Sequence, residues 1–148
     1  LDIARRLRHE LQHRGARVIM TRDNDSFIEL DRRAQIAERS KASLFVSVHA
    51  DSARREAASG AGVHIYNKAS RQSQAAALKI VGAFKKYGLK TRRVFRNNFH
   101  VLREHSRPAV LVECGFLTNP GDAALLNDAQ YRAKFAAVLA EGIAESLQ

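Results

Sequence analysis

The amino-acid sequence predicts an α/β fold: a single domain with a mainly parallel, twisted sheet flanked by helices. Apolar residues at helical spacing alternate along the chain with short, nearly continuous apolar runs, the pattern of strands that are covered on both sheet faces. A length of 148 residues and a hydrophobic content of 45% suit one core rather than two. No apolar run approaches the roughly 20 residues that a membrane-spanning helix requires. We therefore expect one domain over residues 1–148 and no membrane span.

The N-terminal segment predicts a helix followed by a strand. An apolar stripe at helical spacing indicates a helix over residues 1–14, and Gly15 follows where a left-handed terminator is expected. The run Val18-Ile19-Met20 then predicts a short buried strand over residues 16–21, with a turn over residues 22–25. The stripe of the helix consists of Ala4, Leu7 and Leu11.

A second helix and a second strand follow. Ser26 and Glu29 have the spacing of a capping box, which predicts a helix that runs to about Arg39. Residues 44–48 are almost continuously apolar, so they predict a strand that is buried on both sheet faces and ends at His49. The apolar face of the helix consists of Phe27, Leu30, Ala34 and Ala37.

The middle of the chain predicts a loop, a strand and a long helix. Residues 51–62 are rich in Ala, Ser, Arg and Gly and predict a polar loop, after which residues 63–66 predict a short strand. A helix with a clear apolar face comes next, and Gly88 closes it. That face consists of Ala77, Ile80, Val81, Phe84 and Tyr87.

Two more strands and a final helix complete the predicted fold. Residues 99–103 and 109–114 are strand candidates, and the turn between them contains Pro108. The last segment predicts a helix whose apolar stripe packs on the sheet. That stripe consists of Tyr131, Phe135, Val138, Leu139 and Ile143.

The formal charge of +10 favours an anionic partner, because the fields of many lysine and arginine side chains add up. A solvated surface is the simpler interpretation of the most basic stretch, and contact with a polyanion is the alternative. Nucleic acid is an unlikely partner, since only Phe95 and Phe99 lie among these charges as stacking residues. The stretch covers residues 85–107, where Lys85, Lys86, Lys90, Arg92, Arg93, Arg96, Arg103 and Arg107 are opposed only by Glu104.

Two polar side chains stand at predicted strand ends, where open α/β sheets bind their ligands. His49 ends one buried strand, and a neutral imidazole there suits a metal ligand, although a hydrogen-bonded structural histidine is the alternative. Glu113 follows the apolar run Val110-Leu111-Val112 and suits a general base. Its alternative role is a structural ion pair with Arg103 or Arg107.

Two polar motifs contain these residues: Ser47-Val48-His49-Ala50-Asp51 and Val112-Glu113-Cys114-Gly115-Phe116-Leu117-Thr118-Asn119-Pro120. They resemble motifs of the zinc-dependent N-acetylmuramoyl-L-alanine amidases, which are bacterial cell-wall hydrolases. Thr21-Arg22-Asp23 and Arg33-Ala34-Gln35-Ile36-Ala37 extend the resemblance over nearly the whole chain. The resemblance implies that His49 binds Zn²⁺ and that Glu113 activates the zinc-bound water and later protonates the leaving amine. It also implies an extracytoplasmic protein that cleaves peptidoglycan between N-acetylmuramic acid and L-alanine, and anionic wall polymers as further partners.

The same resemblance implies that two zinc ligands, a histidine and a glutamate, precede Leu1. The sequence is therefore expected to be truncated, lacking the first strand and the upstream ligands. It is also expected to bind zinc weakly or not at all, because one ligand cannot hold the metal tightly. His64 and His100 lie on predicted strands and are more simply surface or packing residues than substitute ligands. Glu38 replaces a common family asparagine, and the short connection after His49 leaves no room for the inhibitory helix of some relatives.

A competing metal motif lies in the first helix. His9-Glu10-Leu11-Gln12-His13 matches the His-Glu-x-x-His pattern of zinc proteases. Both histidines fall nearly opposite the apolar stripe, and the spaced third histidine of the extended protease motif is missing. A solvent-facing helix is therefore the favoured interpretation.

A noncatalytic peptidoglycan-binding or regulatory domain on the same fold is the main alternative to an enzyme. The incomplete ligand set favours this alternative. The carboxylate of Glu113 favours the enzyme, because binding alone does not require a carboxylate at that strand end.

Overall fold

A computed structural model describes residues 1–51 and 58–148, so part of the loop predicted over residues 51–62 lies outside the described residues. Strands and helices alternate along the chain, which confirms the predicted α/β fold class. The elements are α1 (Asp2–His13), α2 (Leu30–Arg39), β1 (Phe45–Asp51), β2 (Ala61–Tyr66), α3 (Arg71–Lys86), β3 (Thr91–Asn97), α4 (His100–Arg103), β4 (Ala109–Phe116), α5 (Pro120–Asn127) and α6 (Ala129–Ser146).

The strands form one sheet in the order β1-β4-β2-β3. The pairs β1/β4 and β2/β3 are parallel, whereas β2 and β4 are antiparallel. The sheet is therefore mainly parallel, as predicted. The two parallel pairs run in opposite directions, and the end of β4 lies beside the end of β1 and the beginning of β2.

Helices cover both faces of the sheet. The larger layer consists of α1, α3 and α6, and its core includes Phe84, Phe135, Ile80 and Leu139, which are fully buried. The α3 and α6 helices approach so closely that a Cβ atom on Gly142 would lie 2.7 Å from the Cα atom of Ile80. None of the helices in the described ranges combines the length and the apolar character needed to span a bilayer.

The smaller layer, α2 and α4, covers only one end of the opposite face. Val101 and Leu102 of α4 pack there with Phe45 and Leu111 of the sheet. Because strand side chains alternate between the two faces, this face also carries His49 of β1 and Glu113 of β4 beyond the end of the covered region. The two predicted site residues therefore lie on the sheet face that α2 and α4 cover at one end.

The prediction of a strand over residues 16–21 is wrong. Residues 16–20 belong to no helix or strand, and Ile19 is largely exposed. A cavity of about 720 Å³ is lined by this segment on one side and by β1 on the other. Because the cavity separates the two segments, residues 16–20 have no neighbouring strand to pair with, and β1 is an edge strand despite its apolar sequence.

The capping box predicted at Ser26 and Glu29 is also wrong. Helix α2 begins only at Leu30, and Glu29 is its N-cap residue with an extended backbone and no side-chain cap. The N–H group of Ser26 instead donates to Oδ1 of Asn24 at 3.0 Å, which holds a local turn. Phe27, predicted on the buried face of this helix, is 73% exposed.

The basic stretch contains a strand that was not predicted from the sequence. The strand that was predicted over residues 99–103 is not observed. Residues 91–97 form β3, a strand at the edge of the sheet with mostly exposed basic side chains. Residues 99–103, predicted as a strand, lie in and next to the short helix α4. Charged edge strands discourage pairing with other chains, but the same charges hide the apolar alternation on which the prediction relies.

The C-terminal region contains one helix more than predicted. The α6 helix buries Phe135, Val138, Leu139 and Ile143 as expected. It is preceded by α5, in which Asn119 caps the first turn and Pro120 occupies the start. The second family-like motif ends at Pro120, the first residue of this helix, and the helix packs against β4.

Candidate functional site

His49 and Glu113 are brought together by the pairing of β1 with β4. They are direct partners in the parallel register of the two strands. Partners in such a register project from the same sheet face, so the imidazole and the carboxylate are neighbours. The structure therefore places both predicted site residues in one position at the ends of adjacent parallel strands.

Ser47 holds the imidazole of His49. Its Oγ atom lies 2.9 Å from Nε2 of His49, two residues further along the same strand. Residues at positions i and i+2 of a strand share a face, which is why this contact forms. The sequence analysis included Ser47 in a motif but missed this orienting role, although the strand alternation alone could have indicated it.

The carboxylate of Glu113 is enclosed by the sheet. The residue is only 8% exposed, and Val112 and Cys114 on either side point into the larger core. Its antiparallel partner on β2 is Gly62, and a Cβ atom on Gly62 would lie 3.4 Å from Cε2 of Phe95 and 3.8 Å from Nε2 of His64. Arg103 and Arg107, the ion-pair partners considered from the sequence, pair with Glu104 and Glu38 respectively.

Asp122 fixes the backbone around the end of β4. Its Oδ2 atom accepts hydrogen bonds from the backbone N–H groups of Phe116, at 2.9 Å, and of Gly60, at 2.8 Å. Gly115 lies between Glu113 and Phe116 with a φ of 153°, and a Cβ atom there would lie 3.2 Å from Oδ2 of Asp122. Glycine is therefore required at this position, and Asp122, missed in the sequence, ties the start of β2 to the strand that carries Glu113.

His64 and His100, which were also predicted to lie on strands, lie in different kinds of element. His64 does lie on β2 and shares the face of Glu113, where its ring stacks on Phe95 with 5.0 Å between centroids. Its Nδ1 atom is 2.6 Å from Nδ2 of Asn97. His100 is not on a strand, because it begins α4 and its Nε2 atom contacts Oδ1 of Asp31 at 2.6 Å.

The His-Glu-x-x-His motif lies on the exposed side of α1. His9 and His13 are both exposed, as the helical spacing predicted. Glu10 pairs with Arg14 at 2.8 Å, one turn later on the same helix. Glu10 therefore has an ion-pair partner on the surface of the helix.

Glu38, the departure from the family pattern, has a defined partner. Its carboxylate accepts hydrogen bonds from the N–H group of Ser106 at 2.6 Å and from the hydroxyl of Ser106 at 2.9 Å. These hydrogen bonds from Ser106, with Arg107 nearby, hold the pKa of the Glu38 carboxyl below its ordinary value. Glu38 thus anchors the segment before β4 to the end of α2.

Two arginines and two phenylalanines form a cluster next to the site, which we call the arginine–aromatic cluster (Arg92, Arg93, Phe95 and Phe116). The Cζ atom of Arg92 lies 4.6 Å from the ring centroid of Phe95 and 5.3 Å from that of Phe116. The Cζ atom of Arg93 lies 5.3 Å from the centroid of Phe95. The sequence analysis named three of these residues only as part of a basic stretch.

The described residues do not form a complete metal site. A catalytic zinc normally takes three protein ligands and one water. His49 has suitable donor chemistry, but no group of three His, Cys, Asp or Glu side chains within residues 1–50 and 58–148 is arranged to hold a metal ion. The described ligand set is therefore incomplete.

Comparisons with known proteins identify the family of this chain. A family described as N-acetylmuramoyl-L-alanine amidase matches residues 1–145. The chain is 35% identical to a protein named probable cell wall amidase LytH of Staphylococcus epidermidis, over 97% of this chain and 47% of that protein. The chain thus spans about half the length of this relative.

Solved structures show the same fold. The catalytic domain of CwlV, an N-acetylmuramoyl-L-alanine amidase from Bacillus (Paenibacillus) polymyxa, superimposes with a TM-score of 0.88 and 35% identity, covering 97% of this chain and 79% of that one. An N-acetylmuramoyl-L-alanine amidase from Clostridium difficile gives a TM-score of 0.93 and 31% identity, covering 97% and 79%. The chain belongs to the N-acetylmuramoyl-L-alanine amidase family.

Proposed function

We propose that this domain hydrolyses the amide bond between N-acetylmuramic acid and L-alanine in peptidoglycan. The observation that carries the proposal is the register pairing of His49 with Glu113 on one open face of the sheet. Membership of the amidase family supports the same reaction and substrate. Relatives named as cell wall amidases support an extracytoplasmic location, where peptidoglycan is accessible.

In this proposal Glu113 transfers protons. Hydrolysis of an amide requires a base that takes a proton from the attacking water and an acid that returns it to the leaving amine. Glu113 is only 8% exposed, so its carboxylate is largely shielded from solvent. A single carboxylate in this position performs both steps in turn.

His49 is proposed as a zinc ligand, oriented by Ser47. A bound zinc ion would polarise the amide carbonyl and lower the pKa of its bound water to about 7. The described residues do not complete the ligand set, so we expect this chain to bind zinc weakly.

The basic surface is proposed to hold the domain on an anionic wall. The net charge of +10 provides a long-range attraction that is screened over about 8 Å at physiological salt. Peptidoglycan and anionic wall polymers are the expected partners. Wall association should therefore weaken as salt is added.

Digestion of purified sacculi in the presence of zinc tests the reaction. Cleavage of the proposed bond frees the amino group of L-alanine and creates no new reducing sugar ends, so both groups are quantified. Glu113→Gln should abolish the release of L-alanine amino groups, whereas the matched control Glu10→Gln should leave it unchanged. New reducing ends, or full activity of Glu113→Gln, would contradict the proposal.

A noncatalytic peptidoglycan-binding domain is the alternative function, and the incomplete set of described metal ligands favours it. This alternative predicts that the chain sediments with sacculi but releases no amino groups from them. It also predicts that Glu113→Gln sediments as well as the unmodified chain.

A further inference from the structure

We propose that Arg92 and Arg93 of the arginine–aromatic cluster form a subsite for a carboxylate on the peptide part of the substrate. This inference rests on the proposed function, because it names what binds beside the amide that Glu113 cleaves. It assigns a specificity-determining role to two residues that make no contribution to the proton transfer.

The cluster is adjacent to the carboxylate of Glu113 through a short series of contacts. Gly62 is the register partner of Glu113, and a Cβ atom on Gly62 would lie 3.4 Å from Cε2 of Phe95. The Phe95 ring therefore lies over the backbone next to Glu113. Arg92 then bridges from this ring to Phe116, which follows Glu113 by three residues on β4.

An irregularity in β3 directs both arginines to the same ring. Ala61 and Val63 of β2 pair with Thr91 and Val94 of β3, so Arg92 and Arg93 together lie opposite the single residue Gly62. Successive side chains of a regular strand point to opposite faces, whereas an extra residue re-aims its side chains. Both guanidinium groups consequently lie near Phe95.

The two arginines differ from other members of the basic stretch in their partners. Lys86 pairs with Glu141, and Arg107 pairs with Glu38. Neither Arg92 nor Arg93 forms an ion pair with any acidic side chain described within residues 1–50 and 58–148. Both guanidinium groups are exposed and lie 4.6 and 5.3 Å from the centroid of the Phe95 ring, so both positive charges attract an anion that binds beside this ring.

Arginine in this setting suits a carboxylate. Stacking on Phe95 and Phe116 positions the planar guanidinium of Arg92 while leaving its edge to donate two parallel hydrogen bonds. In the intact substrate, the lactyl carboxyl group of muramic acid is consumed in the scissile amide and carries no charge. The free carboxylates near the reacting bond are therefore those of the attached peptide.

Binding of two matched probes tests the subsite without requiring hydrolysis. The probes are muramoyl dipeptides that are identical except that one carboxylate of the second residue is replaced by a carboxamide. Affinities are measured by NMR titration for the full chain carrying Glu113→Gln, which keeps the probes intact. Charge-assisted hydrogen bonds of this kind predict that the acidic probe binds at least about 10-fold more tightly.

A double substitution tests whether Arg92 and Arg93 cause the preference for the acidic probe. Arg92→Gln/Arg93→Gln on the same background should remove the preference for the acidic probe and leave affinity for the amidated probe within about 2-fold. The matched control is Arg71→Gln, an exposed arginine at the start of α3 on the other face of the sheet. Unchanged melting temperatures establish that each variant is folded.

The outcomes separate this inference from the proposed function. Equal affinity for both probes, or a preference that survives the double substitution, overturns the subsite. Displacement of the acidic probe by glycerol phosphate at lower concentration than by acetate also overturns it, because the cluster then selects phosphate of wall polymers. Selective binding together with intact sacculi in the digestion assay supports the subsite while contradicting hydrolysis.

Discussion

His49 of β1 and Glu113 of β4 are direct partners across two parallel strands, so the imidazole and the carboxylate project side by side from the same sheet face. The arrangement depends on the backbone register and not on a flexible loop. A shift of one residue in either strand would move one of the two side chains to the other face. The pair therefore connects the fold directly with the proposed chemistry.

A graded series of substitutions tests His49 as a zinc ligand. Ser47→Ala removes the hydrogen bond that orients the imidazole and should weaken zinc binding by roughly 10–100-fold, the usual cost of losing an outer partner of a ligand. His49→Ala should weaken it further. Zinc affinity is measured by competition with a chelating dye.

His13→Ala is the control for this series, because His13 is exposed on α1 and belongs to the competing motif. It should leave zinc affinity unchanged. One tightly bound zinc per unmodified chain would contradict the weak binding that the incomplete ligand set predicts, and an unaltered affinity in His49→Ala would exclude His49 as a ligand.

Asp122 should be essential for the stability of the site region. Asp122→Ala leaves the buried N–H groups of Gly60 and Phe116 without their acceptor, each at a cost of about 1–3 kcal/mol. Asp122→Asn keeps a carbonyl oxygen that accepts both hydrogen bonds, so this variant should lose less stability than Asp122→Ala. Urea unfolding measures both variants, and equal losses of stability would show that the hydrogen bonds are unimportant.

Substitution by alanine should have opposite effects on the stability of the protein at two glycines in helices. Gly142→Ala brings a Cβ atom to 2.7 Å from the Ile80 backbone, so α3 and α6 must separate, at a cost of about 1–3 kcal/mol. Gly82 is exposed on α3 with nothing within 4 Å of its Cβ position. Gly82→Ala should stabilise the protein by roughly 0.5–1 kcal/mol through its better helix propensity. Thermal unfolding would contradict the predicted close packing if both substitutions stabilised the protein.

The contact between α1 and α6 should weaken in acid. Hydrogen bonds from Arg132 and Arg6 hold the pKa of the Asp2 carboxyl below its ordinary value of 3.8. Because the folded pKa is the lower one, the stabilisation is complete above the unfolded pKa and is lost as the pH falls through the folded pKa. Asp2 is 47% exposed, so solvent screening limits the contribution to below about 1 kcal/mol.

Asp2→Asn provides the measurement of this contribution. The variant should unfold slightly more easily than the unmodified protein at pH 7, and the difference should shrink as the pH falls below the ordinary carboxyl pKa of 3.8. A difference that grows in acid would show that another group is responsible.

The sequence predicts the centre of the fold better than its edges. Strand β4 is buried along its whole length, so its apolar run indicates burial, and the apolar run of β1 still indicates a strand although β1 lies at the sheet edge. These two runs locate Glu113 and His49. Strand β3 lies at the sheet edge, where solvated arginines hide the alternation. Residues 16–20 have the composition of a strand but no neighbour to pair with, and a single sequence segment does not contain that information.

The parts of the site that were missed depend on contacts between distant segments. Asp122 was not recognised because its acceptor role requires Gly60, which lies far away in the sequence. The convergence of Arg92 and Arg93 follows from an extra residue in the register with β2, which is a property of strand pairing. Local capping rules also failed at Ser26, where the side chain of Asn24 competes for the N–H group.

The single cysteine offers a measure of how tightly the sheet beneath the site is packed. Cys114 is adjacent to Glu113 but points into the larger core, where burial raises the pKa of its thiol far above the ordinary value of 9.0. The thiol therefore stays protonated and inaccessible, whereas the thiolate is the species that reacts with alkylating reagents. Iodoacetamide should label the native protein only at the rate of global unfolding. Labelling should accelerate in Gly142→Ala and Asp122→Ala as each lowers stability, and fast labelling of the folded protein would show that β4 opens locally beside Glu113.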